Sequence, residues 1–243
     1  MKVMLADCIF SIEPRFTYSQ KRFWDYRIDD DCEIMKKNID RNIKTRPVTI
    51  SVSEEEILAE NKNGGNWPFS YLEFLAIYRK ICKELLKEDI LLFHCSALSI
   101  DGKAYLFTGP SGTGKSTHAR LWRERFGDKI VTINDDKPLL RFFDKGIRVY
   151  GTPYGGKDNL QTNTSEFVKG IVILHQNPEN YIRKIKAREA YPMLLNQTNR
   201  INSAGEMEKI LNLVDKLSKV PVFELNCTIS QEAVQMAYNT LIS

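Results

Sequence analysis

The chain has 243 residues, 42% hydrophobic and 27% charged, with a formal net charge of +4. These are the proportions of an ordinary globular protein, enough for one large domain or one domain with a small extension. The weak positive charge is spread along the chain without a basic block, which argues against a nucleic-acid partner and suits a small anion such as a nucleotide.

No stretch approaches the roughly 20 apolar residues of a membrane span. The N-terminus lacks the apolar core of a signal peptide, so no membrane partner and a cytoplasmic location are expected. Five cysteines, Cys8, Cys32, Cys82, Cys95 and Cys227, are scattered without a CxxC pair. That pattern favours reduced thiols over structural zinc.

In chain order, "KVMLADCIFSI", "FWDYRI" and "RPVTISVS" read as strands, rich in β-branched and aromatic residues. Ser53 before three glutamates reads as a helix start, and "NKNGGNWP" as a turn. Apolar residues at helical spacing predict a helix over 69–87. The texture then changes. "DILLFHCSAL" and "KAYLFTG" read as buried strands, "STHARLWRERFG" as a helix capped by Gly127, and "KIVTIN" as another strand. "LLRFF" and "IRVYGTP" flank a hairpin turn around residues 144–146, and "VKGIVILHQ" is a continuous apolar strand. "EAYPMLLNQTN" and "AGEMEKILNLVDKLSKV" read as helices, "VPVFELN" as a strand, and "SQEAVQMAYNTLI" as a helix capped by Ser230. The expected organisation is a small β-rich N-terminal region over 1–88, ending in a helix, and an α/β domain over 89–243.

The segment Gly109, Pro110, Ser111, Gly112, Thr113, Gly114, Lys115, Ser116 fits G-x-x-x-x-G-K-[ST] without a mismatch, and Thr117 follows it. Glycines let such a loop aim successive backbone amides at phosphate, and the following helix adds its positive end. Lys115 supplies a mobile positive charge for the outer phosphates, and the Ser116 hydroxyl suits Mg2+. A loop of this kind needs a carboxylate at the end of a neighbouring strand, and "KIVTINDDK" offers Asp135 and Asp136. One can hold the metal and the other can accept the proton of an attacking hydroxyl. The spacing does not assign the two roles. His94 lies fifteen positions before Gly109. On pattern alone it is a core histidine as readily as a site residue, and the same holds for Ser96. His118 and His175 carry a weaker signal, and Cys95 has no signal of thiolate activation.

"FHCSALSIDGKAYLFTGPSGTGKSTHARLW", then a buried strand and "NDD", resembles the catalytic core shared by HPr kinase/phosphorylase and phosphoenolpyruvate carboxykinase. The later "VYGTPYGG" and "VPVFELNCTISQEAVQMA" resemble a group of short HPr-kinase-like proteins, some of which phosphorylate a peptide. The resemblance covers roughly residue 91 to the C-terminus. It implies an α/β fold with a central mixed sheet and a P-loop. It implies an ATP-dependent phosphotransferase using Mg2+, with Mn2+ as the alternative ion. It places His94 at the metal or the transferred phosphoryl group, and Asp135, Asp136 and Lys115 beside it. The implied partners are a nucleotide and a phosphoryl acceptor that is a peptide, protein or small molecule, with a homo-oligomer as an assembly to test.

Two departures shape that expectation. Thr117 stands where HPr kinases typically carry glutamate, and the carrier-protein recognition signature is not seen. Residues 1–88 match neither family, and no convincing arginine cluster for a dicarboxylate stands out. A kinase is therefore expected ahead of two alternatives: a nucleotide-binding regulatory module with little turnover, and a carboxykinase-like lyase. "GTPYGGK", Gly151 to Lys157, is a second glycine-rich loop that either meets the phosphates or is a plain turn. Most of Arg120, Arg123 and Arg125 read as the solvated face of the helix after the loop, and Arg200 as a candidate transition-state cation. Trp122, Tyr150 and Tyr154 suit base stacking and core packing equally.

Overall fold

A computed structural model describes residues 1–29, 47–62, 64–198 and 204–242. Cys32 and Arg200 lie outside the described residues. The chain divides into two compact units, Met1–Ile90 and Leu91–Ser243.

In the first unit, β1 (Lys2–Leu5) and β2 (Cys8–Ile12) form an antiparallel hairpin, with β3 (Val48–Ile50) parallel to β2. The single strand expected over residues 2–12 is thus two strands. The turn is made by Ala6 and Asp7, both left-handed at φ 48° and 61°. Hairpin turns of that geometry usually carry Asn-Gly or Asp-Gly, so the sequence gives no turn signal there. The strand expected at Phe23–Ile28 is instead a 3-10 turn, Trp24–Tyr26, after α1 (Thr17–Arg22). Phe23 and Tyr26 are buried while Trp24 is 56% exposed, a spacing of three rather than two.

Ser53 caps α2 (Glu54–Leu58) in a reciprocal capping box with Glu56. The long helix α3 (Phe69–Leu86) buries Leu72, Ile77, Ile81 and Leu85. Its buried Glu73 accepts hydrogen bonds from the Arg15 and Phe16 amides and the Ser19 hydroxyl, which fixes the start of α1. With 18 residues in α3 against strands of four, five and three, this unit is mixed rather than β-rich among its described residues.

A nine-stranded mixed sheet follows, built from β4 (Ile90–Leu92), β5 (Cys95–Ile100), β6 (Lys103–Thr108), β7 (Ile130–Asn134), β8 (Leu139–Phe143), β9 (Gly146–Tyr150), β10 (Ser165–Gln176), β11 (Tyr181–Ile185) and β12 (Val222–Cys227). The strand expected over residues 89–98 is broken at His94. Phe93 and Cys95 donate to the carbonyls of Pro138 and Asp136 at 3.2 and 3.1 Å, while His94 donates to Gln197 at 2.9 Å, so the chain changes partner there. The strand β11 has no counterpart among the expected elements. Its "YIRKI" is mostly exposed and charged, as an edge strand is, so hydrophobic pattern does not find it.

The order β10-β6-β5-β7 fixes the geometry of the site. β6 and β12 run parallel to β10, and β5 runs antiparallel to both β6 and β7. The carboxyl ends of β6, β7, β10 and β12 therefore share one edge, where β5 also begins. Against one face pack α4 (Lys115–Phe126) and α7 (Gln231–Ile242), around a core of Leu98, Phe107, Trp122, Val172, Leu174 and Val234. Among the described residues the remaining α-helices are α5 (Ala187–Leu195) and α6 (Ala204–Leu217), which pack on one another. Ser230 accepts from the Ala233 amide and caps α7.

Candidate active site

The shared sheet edge brings together segments far apart in sequence: His94 before β5, the glycine loop after β6, and Asp135 and Asp136 after β7. The loop turns on glycines. Gly109, Gly112 and Gly114 all have positive φ, and a Cβ on Gly109 would lie 3.0 Å from the Leu174 carbonyl. Its Pro110, Ser111, Thr113 and Thr117 positions carry side chains where φ is not positive. Gln176 at the end of β10 donates to the Gly112 carbonyl at 3.0 Å and ties the loop to the neighbouring strand. The buried Lys115 ammonium donates to the carbonyls of Gly109 and Pro110 at 2.9 and 3.1 Å, within the loop. Burial pulls its pKa below the ordinary value, and the charges of Asp136 and Asp135 oppose that pull.

The aspartate turn is held from beneath by Asn134, wholly buried at the end of β7. Its Oδ1 accepts from the amides of Asp136 and Lys137 at 2.9 and 2.8 Å, and its Nδ2 donates to the Thr152 hydroxyl at 3.0 Å. Thr152 in turn donates to the Lys137 carbonyl at 2.9 Å and accepts from the Tyr154 amide at 3.2 Å. This pair fastens the second glycine-rich loop to the aspartates. Gly151 is packed so closely that a Cβ would stand 1.9 Å from the Thr162 carbonyl, and one on Gly156 would stand 3.3 Å from the Asp136 Cβ. Of the residues in that loop, Lys157 is exposed and Thr152 is the one that braces the site.

Burial raises the pKa of Asp135, and the Ser96 and Ser116 hydroxyls and the Arg123 charge pull it back. Burial likewise raises Asp136, against the charges of Lys137 and Lys115. His94 Nε2 lies 3.4 Å from Asp136 Oδ1. Burial, followed by the positive charges of Lys115 and Lys137, pushes the His94 pKa down to about 4, against a hydrogen bond with Gln197. His94 is therefore neutral near pH 7, one ring nitrogen a hydrogen-bond donor and the other an acceptor beside Asp136.

Asp135 Oδ1 and Ser96 Oγ are buried without a well-formed hydrogen bond among the described residues. A buried carboxylate oxygen that neighbouring hydroxyls meet only in poor geometry is costly unless a cation also meets it. With the Ser116 hydroxyl beside Asp135, the donors are all hard oxygens, and they fit Mg2+. Among the described residues no group of three or more His, Cys, Asp or Glu gathers to hold a metal. A magnesium ion that shares its coordination with water and phosphate needs only one or two carboxylates.

Other sequence candidates stand apart. Trp122 is buried core, its ring tilted against those of Phe107, Phe126 and Tyr238, rather than a stacking platform. His118 is buried and accepts from Trp122 Nε1 at 3.0 Å. His175 lies 3.6 Å from Glu224 between strands β10 and β12. Arg120 pairs with Glu124 and Arg125 bonds to Gln235 on the helix surface. Arg123 leaves that face, reaching Thr132 on β7 at 3.4 Å, so most but not all of the three arginines are solvated. Asn134 and Thr152 are the bracing residues the sequence did not single out, since Asn and Thr meeting across 18 residues leave no spacing to read.

No family model and no curated protein matches the chain. Among solved structures, the Hpr(Ser) kinase/phosphatase from Coxiella burnetii is similar over 62% of this chain and 96% of that one, at 14% identity and a TM-score of 0.34. The likeness is distant, and no property of that protein is transferred from it. Among the described residues, no helix is long and apolar enough to cross a membrane.

Proposed function

We propose that this chain is an ATP- and Mg2+-dependent kinase that transfers a γ-phosphoryl group to a serine-type hydroxyl of a peptide, protein or small molecule. One observation carries the reading. The glycine loop with Lys115 and Ser116 shares a sheet edge with a braced aspartate pair, buried Asp135 and half-buried Asp136, and a neutral histidine.

In this reading the loop amides and Lys115 bind and orient the phosphates. Ser116 and Asp135 would hold Mg2+, which when bound neutralises charge on the phosphoryl oxygens. Asp136, whose pKa burial raises, accepts the proton of the acceptor hydroxyl. The new P–O bond forms as the bond to the β-phosphate oxygen breaks, and ADP leaves. His94 positions Asp136 and takes part in the proton's hydrogen-bond network. The Ser96 and Ser116 hydroxyls and the Arg123 charge oppose the rise that burial imposes on the Asp135 pKa. Catalysis of this kind is positioning and charge stabilisation.

The test is incubation of the purified protein with γ-labelled ATP, Mg2+ and fractions of a cell lysate. The reading expects label on a discrete acceptor that survives removal of nucleotide. Tight ATP binding without labelled product in any fraction would favour a regulatory nucleotide-binding module instead.

A further inference from the structure

The His94 ring meets two partners that matter for its orientation. One is Asp136, whose Oδ1 lies 3.4 Å from His94 Nε2. The other is Gln197. It sits just past the end of α5 and is only 8% exposed, deep burial for a glutamine. Backbone bonds fix its place. The Gln197 amide donates to the Leu194 carbonyl at 3.0 Å, and the Gln197 carbonyl accepts from the His94 amide at 2.9 Å. An antiparallel bridge between Phe93 and Thr198 closes the same junction. The Gln197 side chain also hydrogen-bonds His94, and that bond draws the His94 pKa upward against the effect of burial. An amide oxygen that accepts a ring N–H acts in that direction, whereas an amide N–H given to the ring acts in the other.

We infer that Gln197 is a positioning residue: its Oε1 accepts from the Nδ1–H of His94, which fixes the ring and leaves the Nε2 lone pair facing Asp136. A neutral histidine has one donor nitrogen and one acceptor, so the partner of one nitrogen decides the role of the other. The 3.4 Å separation agrees with this, since a ring N–H donating to a carboxylate closes to about 2.7–3.2 Å. With Nε2 as acceptor, His94 receives a hydrogen bond from Asp136 once that carboxylate has taken the proton of the acceptor hydroxyl. His94 stays uncharged throughout. The opposite tautomer would donate to the ionised carboxylate and steady it before the reaction rather than after. The inference rests on the phosphoryl-transfer reading and adds to it the residue that sets the direction of the His94–Asp136 contact.

Ring nitrogens and turnover are read separately. The chain has three histidines, so a nitrogen–proton NMR spectrum of the isotopically labelled full chain at neutral pH is simple, and His94→Gln identifies the His94 signals by their loss. Wild type should carry the His94 proton on Nδ1. Gln197→Met keeps a similar volume without the accepting oxygen, and should move the proton at least in part to Nε2. The same substitution should lower the rate of γ-label transfer at saturating ATP by about tenfold and change nucleotide affinity by less than about twofold. Gln197→Glu, which keeps an accepting oxygen at that place, should restore the Nδ1 proton and most of the rate. A wild-type proton on Nε2, or a Gln197→Met protein with the wild-type tautomer, would overturn the inference and leave the kinase reading intact. A changed tautomer with an unchanged rate would overturn it too, because the contact would then orient nothing that turnover needs. An Nδ1 proton in a wild type that binds Mg-ATP but labels no acceptor would remove the kinase reading and the positioning role together.

Discussion

Lys115 hydrogen-bonds only to carbonyls of its own loop among the described contacts, so its removal takes away charge without opening the core. Lys115→Ala is expected to keep the folded circular dichroism spectrum and to lose phosphoryl transfer by about 100-fold or more. Asn134 is different, because its side chain satisfies two amides and a hydroxyl. Asn134→Ala orphans those groups in a buried place and should destabilise the protein by about 2–4 kcal/mol in denaturant unfolding. Turnover should fall with it, since the aspartate turn loses its support. The contrast shows what could be read from the chain. Lys115, Ser116, Asp135 and Asp136 could be picked out as candidates because phosphate and metal chemistry would demand those residue types at those places. Asn134 and Thr152 were not, because bracing depends on a meeting in space that no local pattern encodes.

At the level of the element, the strong strands and helices of the second unit follow their hydrophobic periods closely. The failures have local causes. The Ala6–Asp7 turn uses residues that seldom take positive φ, and β11 is a charged edge strand. The break at His94 arises where three successive amides find three different carbonyl partners. That break is also what sets His94 beside Asp136. The loop after β9 makes an equally specific demand. Gly151→Ala would drive a methyl group into the carbonyls of Thr162 and Ile133. It should destabilise by about 2–4 kcal/mol and displace Thr152 from Asn134, so that kcat falls together with the thermal midpoint. Beneath the two helices that cover one face of the sheet, Trp122→Ala should cost about 3–5 kcal/mol by emptying the core under α4 and α7, with the loss read by chemical denaturation.

The strand order is the feature of the whole molecule that the sequence did not disclose. Inserting antiparallel β5 between β6 and β7 is a non-local pairing, yet it places His94, the loop and the aspartates on one edge. Buried His118 also gives the whole protein an acid limit. Burial pushes the His118 pKa down to about 4, so the folded state holds it neutral while the unfolded chain takes up a proton near 6.5. Between those values the unfolded state binds more protons. Stability is therefore complete above about pH 6.5 and falls as pH drops towards 4, with His118 responsible for up to about 3 kcal/mol. Asp135 and Asp136, raised by burial, act in the opposite sense at the acid end. Thermal melts across pH 7.5 to 4.5 should show the midpoint of the wild type falling more steeply than that of His118→Gln, which keeps an acceptor for Trp122.

The central claim is that the sheet edge at Gly109–Ser116 and Asp135–Asp136 is a phosphoryl-transfer site. The most direct measurement compares wild type with Asp136→Asn for incorporation of γ-label from ATP into lysate fractions, alongside nucleotide affinity by equilibrium titration. The expected result is a labelled acceptor with wild type, a loss of at least about 100-fold in labelling with the variant, and nucleotide affinity changed by less than about tenfold. Equal labelling by the two proteins, or failure of the wild type to bind Mg-ATP, would contradict it.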